Sequence, residues 1–142
     1  MRSTLTARSE SREPLVPVTP DSLPKPIGNS NGIRGSGEIL FVSGQIGWAR
    51  EGRLVSDDLV AQFAMALDNL LDVVWAAGGK PDSVARMTLY VTDKLEYVKR
   101  RRAIGEEYRK RFAKHYPAMT LVEVKSLLVD GSKVEIEATA LL

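Results

Sequence analysis

The spacing of apolar residues divides the chain into a leader and one folded unit. Up to about residue 27, Pro14, Pro17, Pro20, Pro24 and Pro26 stand among Ser, Thr and charged residues. With so little apolar surface to offset ordering entropy, residues 1–27 read as a flexible or extended leader and 28–142 as the domain. Gly28, Gly32, Gly35 and Gly37 mark a turn-rich approach, and the apolar run at 39–43 predicts a strand. Val60, Phe63, Ala64, Leu67, Leu70, Leu71, Val74 and Trp75 then recur at helical spacing, which predicts a long helix laying one face on a sheet. Ser56 is its predicted N-cap, with Asp57 and Asp58 at the positive end of the dipole, and Gly78-Gly79 its stop. Residues 85–92 alternate, with Met87, Leu89 and Val91 on one face of a strand. Asp93 and Glu96 predict a capping box opening a second helix, whose core stripe is Leu95, Val98, Tyr108 and Phe112 and whose run is interrupted by Gly105. Two more strands, 119–128 and 133–142, are joined through Asp130-Gly131, a hairpin signal. In the last, Val134, Ile136, Ala138 and Ala140 face one way and Glu135, Glu137 and Thr139 the other. This order predicts an α+β domain with two helices on one face of a mixed sheet.

Composition narrows the chemistry more than the architecture. Of 142 residues, 44% are hydrophobic and 27% charged, enough to bury one ordinary core. No Cys is present, which removes disulfides, thiolate metal sites and a Cys nucleophile, and suits a reducing cytoplasm. His115 is the single His, so one chain cannot build a multi-His centre, and neither metal nor cofactor is expected. No apolar run nears the roughly 20 residues of a membrane span, and the N-terminus lacks the apolar core of a secretory signal. The expected location is cytoplasmic.

Six tracts, in order, carry a family resemblance: Phe41-Val42-Ser43-Gly44-Gln45, Ala66-Leu67 with Asn69-Leu70, Ala77-Gly78-Gly79, Val91-Thr92-Asp93, Pro117-Ala118, and Val134-Glu135-Ile136-Glu137-Ala138. Together they resemble the Rid (YjgF) family of reactive-intermediate enamine/imine deaminases. The resemblance implies a chorismate-mutase-like α+β fold and a homotrimer with a barrel-like core, holding a small-molecule cleft between each pair of subunits. It also implies an Arg after Pro-Ala that grips a substrate carboxylate bidentately, an acid–base Glu opening the Val-Glu-Ile-Glu tract, and a Tyr in the approach loop. Glu135 holds that Glu position, and Ser43 and Gly44 keep the pocket backbone. Met119 stands at the Arg position, Ser30 at the Tyr position, and Gly105 where an Asn is common.

The implied reaction hydrolyses a short-lived enamine or imine such as 2-aminoacrylate, by proton transfer to carbon, water attack at the imine carbon and loss of ammonia. Losing a charge-assisted carboxylate contact costs about 2–5 kcal/mol, and Met suits a less charged or bulkier ligand. The expectation is therefore a divergent deaminase-like hydrolase of a small reactive nitrogen intermediate, with reduced activity on 2-aminoacrylate. Glu135 would be catalytic, with Ser30, Ser43, Gly44 and Met119 against the substrate. The alternative is a catalytically silent trimer holding a metabolite or a protein partner in the same clefts.

Other signals are weaker. Arg34, Arg86, His115 and Lys125 could supply a substitute cation, and sequence alone places none of them. The second helix is basic, with Lys99-Arg100-Arg101-Arg102 and Arg109-Lys110-Arg111. No aromatic is interleaved there to stack a base and the net charge is only +2, so it reads as a solvated face rather than an RNA interface. His115 reads as a loop residue making local hydrogen bonds, and Trp48 as packing on its own loop.

Overall fold

The computed structural model describes residues 13–142. Its strands are β1 (Val16–Val18), β2 (Gly32–Arg34), β3 (Ile39–Gln45), β4 (Val84–Val91), β5 (Ala118–Glu123) and β6 (Val134–Leu141), and its helices α1 (Leu59–Ala76) and α2 (Lys94–Phe112). The main sheet has the order β3-β6-β4-β5. β6 pairs antiparallel with both β3 and β4, whereas β4 and β5 are parallel. Both helices lie on one face, α1 over β6 and β3, and α2 against α1. The predicted α+β class, two helices on a mixed sheet, is the fold.

The predicted hairpin between the last two strands is not formed. α2 is a crossover that returns the chain beside β4 in the same direction, as a parallel pair requires. The chain then turns at Asp130-Gly131, with Gly131 at φ 84°, and β6 enters the gap between β3 and β4. Central position suits β6, since Val134, Ile136 and Ala140 are fully buried on the helix side. β5 stops at Glu123 rather than continuing to residue 128. The Glu123 carboxylate accepts from Lys94 N at 2.8 Å, which ties the strand end to the start of α2.

α1 buries Phe63, Leu67, Leu70, Leu71 and Val74 as predicted, together with Leu59 and Ala66. Its N-cap is Asp58, not Ser56: the Asp58 carboxylate accepts from Ala61 N at 3.0 Å, while Ser56 Oγ accepts from Asp58 N. Trp75 at the far end is exposed, because it lies one residue off the buried stripe. By length and composition α1 could cross a membrane; here its apolar stripe lies on the sheet. It also buries a polar side chain. Gln62 Nε2 donates to Ser56 O and Gly131 O, and Gln62 Oε1 accepts from Lys133 N. The loop before β6 is thereby fastened to the core helix.

α2 has the Asp93 cap, accepting from Glu96 N at 3.1 Å. The core stripe differs from the one expected: Ile104, Tyr108 and Phe112 are buried, while Leu95 and Val98 are exposed. Those two fall on the flank away from α1, past the buried stripe. Ordered pairing also begins earlier than residue 27, since β1 pairs antiparallel with β2. Residues 1–12 of the leader lie outside the described residues.

Candidate functional site

The side of the sheet away from the helices is left uncovered by the described residues. Register sets Tyr90 opposite Glu135, Thr88 opposite Glu137 and Arg86 opposite Thr139. β3 adds Phe41, opposite Thr139 and 76% exposed. Phe41, Ser43, Arg86, Thr88, Glu137 and Thr139 line an open groove of about 510 Å³.

Glu135 lies across Gly44. The β3–β6 register shifts between Val42 and Gln45, and a Cβ built on Gly44 would collide with the Glu135 carboxylate. Only glycine permits that approach. Glu135 has no hydrogen-bond or ion-pair partner among the described residues. Its neighbour Glu137 accepts a 2.5 Å hydrogen bond from Tyr90 Oη. That bond holds the Tyr90 phenol above its ordinary pKa, with burial and the charges of Glu137 and Glu135 adding to it.

A second group assembles at the start of β5. Ser30 N donates to Pro117 O at 3.1 Å, and Ser30 Oγ donates to Tyr116 O at 2.6 Å. Ser30 thus fastens the approach segment beside Ala118. Met119 follows, in register with Met87. Parallel partners point to one side of a sheet, so Met119 shares the helix-facing side and packs against the core cluster. Of the sequence-predicted residues, Glu135, Ser43 and Gly44 come together on the open face, and Ser30 and Met119 at the edge of β5. A single chain does not join the two groups, because Met119 and Glu135 lie on opposite faces.

The cations are divided in the same way. Arg86 is on the open face with the carboxylates. On α2, Arg100 pairs with Asp58 at 2.9 Å, while Arg111 pairs with Asp68 at 2.6 Å and Glu107 at 2.9 Å. The Asp68 contact holds the Arg111 guanidinium above its usual pKa, and contacts with Lys110 and Arg111 hold Glu107 below its own. Part of the basic run therefore binds the two helices together. His115 is held structurally but not only by local bonds: its carbonyl accepts from Tyr108 Oη, while its Nε2 lies 2.7 Å from Val84 O, 31 residues away at the start of β4. Trp48 borders a separate hollow with Arg50, Met65 and Asp72, and is 38% exposed. Among the described residues no three His, Asp or Glu side chains are grouped to hold a metal ion.

Tyr90, Phe41 and Arg86 were not singled out as one group from sequence. The alternation at 85–92 held the signal, since it sets Arg86, Thr88 and Tyr90 opposite in sense to Met87, Leu89 and Val91.

The architecture and this open acidic face define a Rid-type α+β domain. A family model described as Endoribonuclease L-PSP matches residues 22–142. The chain is 33% identical over 121 residues to a RutC family protein of Pyrococcus horikoshii, covering 84% of this chain and 92% of the relative. It is 31% identical over 103 residues to 2-iminobutanoate/2-iminopropanoate deaminase of Homo sapiens, covering 72% of each. The crystal structure of YyfB from Yersinia pestis, described as a protein of unknown function of the conserved Rid family, superposes with a TM-score of 0.82 at 30% identity, covering 92% of this chain and all of that one. The chain belongs to the Rid (YjgF) family.

Proposed function

We propose that the protein is a divergent enamine/imine deaminase-like hydrolase acting on a small reactive nitrogen intermediate. The observation that carries this reading is Glu135, a carboxylate unpaired among the described residues and held against the Gly44 backbone on an open face. A carboxylate so placed can take a proton from water as the oxygen adds to an imine carbon. The carbinolamine formed in this way from the protonated imine loses ammonia once its nitrogen receives that proton, and its hydroxyl then gives up a proton to leave a carbonyl product. No redox partner enters this balance. The relative named as an iminobutanoate/iminopropanoate deaminase supports the reaction class.

Assembly is part of the proposal. Since Met119 and Glu135 face opposite ways in one chain, a cleft using both takes them from two subunits, in keeping with a homotrimer. Phe41 and Ile39, exposed on the open face, fit a surface that other copies cover.

The test is ammonia release from freshly generated 2-aminoacrylate and from iminoacids with larger side chains, comparing wild type with Glu135→Gln. Wild-type turnover above buffer that is lost in Glu135→Gln with folding unchanged is the expected result. Equal rates in buffer, wild type and variant would overturn the hydrolase. The apolar Met119 favours one other reading, a trimer that binds a metabolite in the cleft without turning it over.

A further inference from the structure

One arginine of α2 is placed unlike its neighbours. Arg100, Lys110 and Arg111 are each engaged by a carboxylate. Arg109 has no ion pair among the described residues, and its side chain folds back one turn over Gly105. A Cβ built on Gly105 would stand 3.0 Å from Arg109 Nη1 and 3.8 Å from Arg109 Cζ. Glycine is, after proline, the residue least suited to a helix interior. Here it leaves the space of one turn to a guanidinium, and helix geometry aims that side chain toward the N-terminus. Lys99, Arg101 and Arg102 also have no ion pair among the described residues, but the residues one turn before them are Leu95, Tyr97 and Val98, none of which leaves such a space.

Helix phase and length locate this guanidinium. Arg100 and Arg111 reach toward α1, and Ile104, Tyr108 and Phe112 face the sheet. At 100° per residue, Gly105 and Arg109 fall past the buried stripe on the flank away from α1. That flank lies toward β5, the last strand of the main sheet, which pairs with β4 and is bridged at Ala118 by Ser30. Along the axis, Lys94 N is bonded to Glu123 at the end of β5. From Glu123 back to Met119 is about 13 Å of strand, which corresponds to about nine residues of helix. Ala103 is thus level with Met119, and Gly105 lies about 3 Å further along the axis. Tyr108 stacks on Tyr116, with ring centroids 5.5 Å apart, which ties this part of α2 to the segment leading into β5.

We propose that Arg109 is the carboxylate-binding cation of the cleft bordered by Ser30 and Met119. The cleft then takes a small imine or enamine that carries a carboxylate, gripped from α2 instead of from β5. This rests on the reading of that end of β5 as part of a substrate cleft. A guanidinium presents two parallel N–H donors that match a carboxylate, and Met119 supplies an apolar wall beside it. Recognition of the acid group has moved from strand to helix.

The probes are pyruvate, the oxo acid such a hydrolysis would release from 2-aminoacrylate, and pyruvamide, its uncharged counterpart. Binding to the full chain is read by titration calorimetry. Wild type binds pyruvate more tightly than pyruvamide, and Arg109→Ala weakens pyruvate about tenfold or more, as loss of a hydrogen bond to a charged group does, with pyruvamide unchanged. Arg109→Lys restores part of the loss, since it returns the charge without the fork. Pyruvate binding that is absent from wild type, equal to that of pyruvamide, or untouched by Arg109→Ala overturns the proposal. Ammonia release that needs Glu135 but not Arg109 overturns this assignment and leaves the hydrolase standing. Arg109-dependent pyruvate binding without Glu135-dependent turnover does the reverse.

Discussion

On β6, Val134, Ile136 and Ala140 are fully buried beneath the helices, while Glu135, Glu137 and Thr139, each one residue away, look out from the other side. The covered face is complete within the chain. The hydrophobic effect fixes it, and even its buried Gln62 has every hydrogen-bonding group satisfied. The open face is unfinished. Among the described residues Glu135 has no partner, Phe41 is exposed, and Arg86 sits among hydroxyls and carboxylates. A folded sheet therefore carries one surface whose sequence answers to stability and another whose sequence answers to what is bound there.

Neighbouring substitutions on β6 test that division most sharply. Ile136→Ala should cost about 2–5 kcal/mol by removing a fully buried side chain, whereas Glu135→Gln should change stability by less than about 0.5 kcal/mol and abolish turnover. Urea unfolding followed beside ammonia release reads both, and comparable destabilisation by the two variants would break the contrast. Gln62→Leu comes next. It leaves Ser56 O, Gly131 O and Lys133 N without the amide that bonds them, a loss of about 1–3 kcal/mol. Unfolding midpoints unchanged by this swap would mean that water replaces the amide and that the buried face is less self-sufficient than it looks.

Much of the covered face was legible because its signals are local. Alternation in β4 and β6 named Met87, Leu89, Val91 and Ile136, and helical spacing named most of the stripe on α1. Strand order was not legible. Asp130-Gly131 is a turn, but which strands pair across it depends on the crossover made by α2, not on the turn. Leu95 and Val98 have the period of a core stripe, yet they fall past the side of α2 that is buried and stay exposed. Val16–Val18 reads as leader because its partner, β2, lies over a dozen residues away. The site was half legible: Glu135, Ser43 and Gly44 do share a face, whereas the opposite direction of Met119 follows from its parallel pairing with Met87. Arg109 escaped notice because its place depends on a glycine one turn earlier.

The helix contacts that hold the covered face are smaller and depend on pH. The Ala61 N–H, and then Arg100, hold the Asp58 carboxyl below its ordinary value of 3.8. A depressed carboxyl pKa adds stability that is fully present above the unfolded value and disappears as pH falls through the lower folded value. Asp58→Ala should therefore cost about 1 kcal/mol at neutral pH, as loss of an N-cap does, and this difference should shrink as the pH drops below about 4. Urea midpoints at several pH values check it. A gap that persists undiminished in acid would assign the loss to packing and not to charge.

The smallest effect has the opposite sign. Gly105 is half-buried on the flank of the covered face, and Ala there should stabilise α2 by about 0.5–1 kcal/mol through helix propensity. Against this stands the 3.0 Å approach of the new Cβ to Arg109 Nη1. The atom it meets is the tip of a flexible, exposed side chain, so the guanidinium can shift by a few tenths of an ångström at little cost and propensity decides the balance. A gain in unfolding midpoint would show that glycine is kept at 105 for the space above it, at the expense of the helix. A loss would mean that Arg109 is held there firmly enough to resist displacement, so that the flank over β5 is as tightly built as the face beneath it.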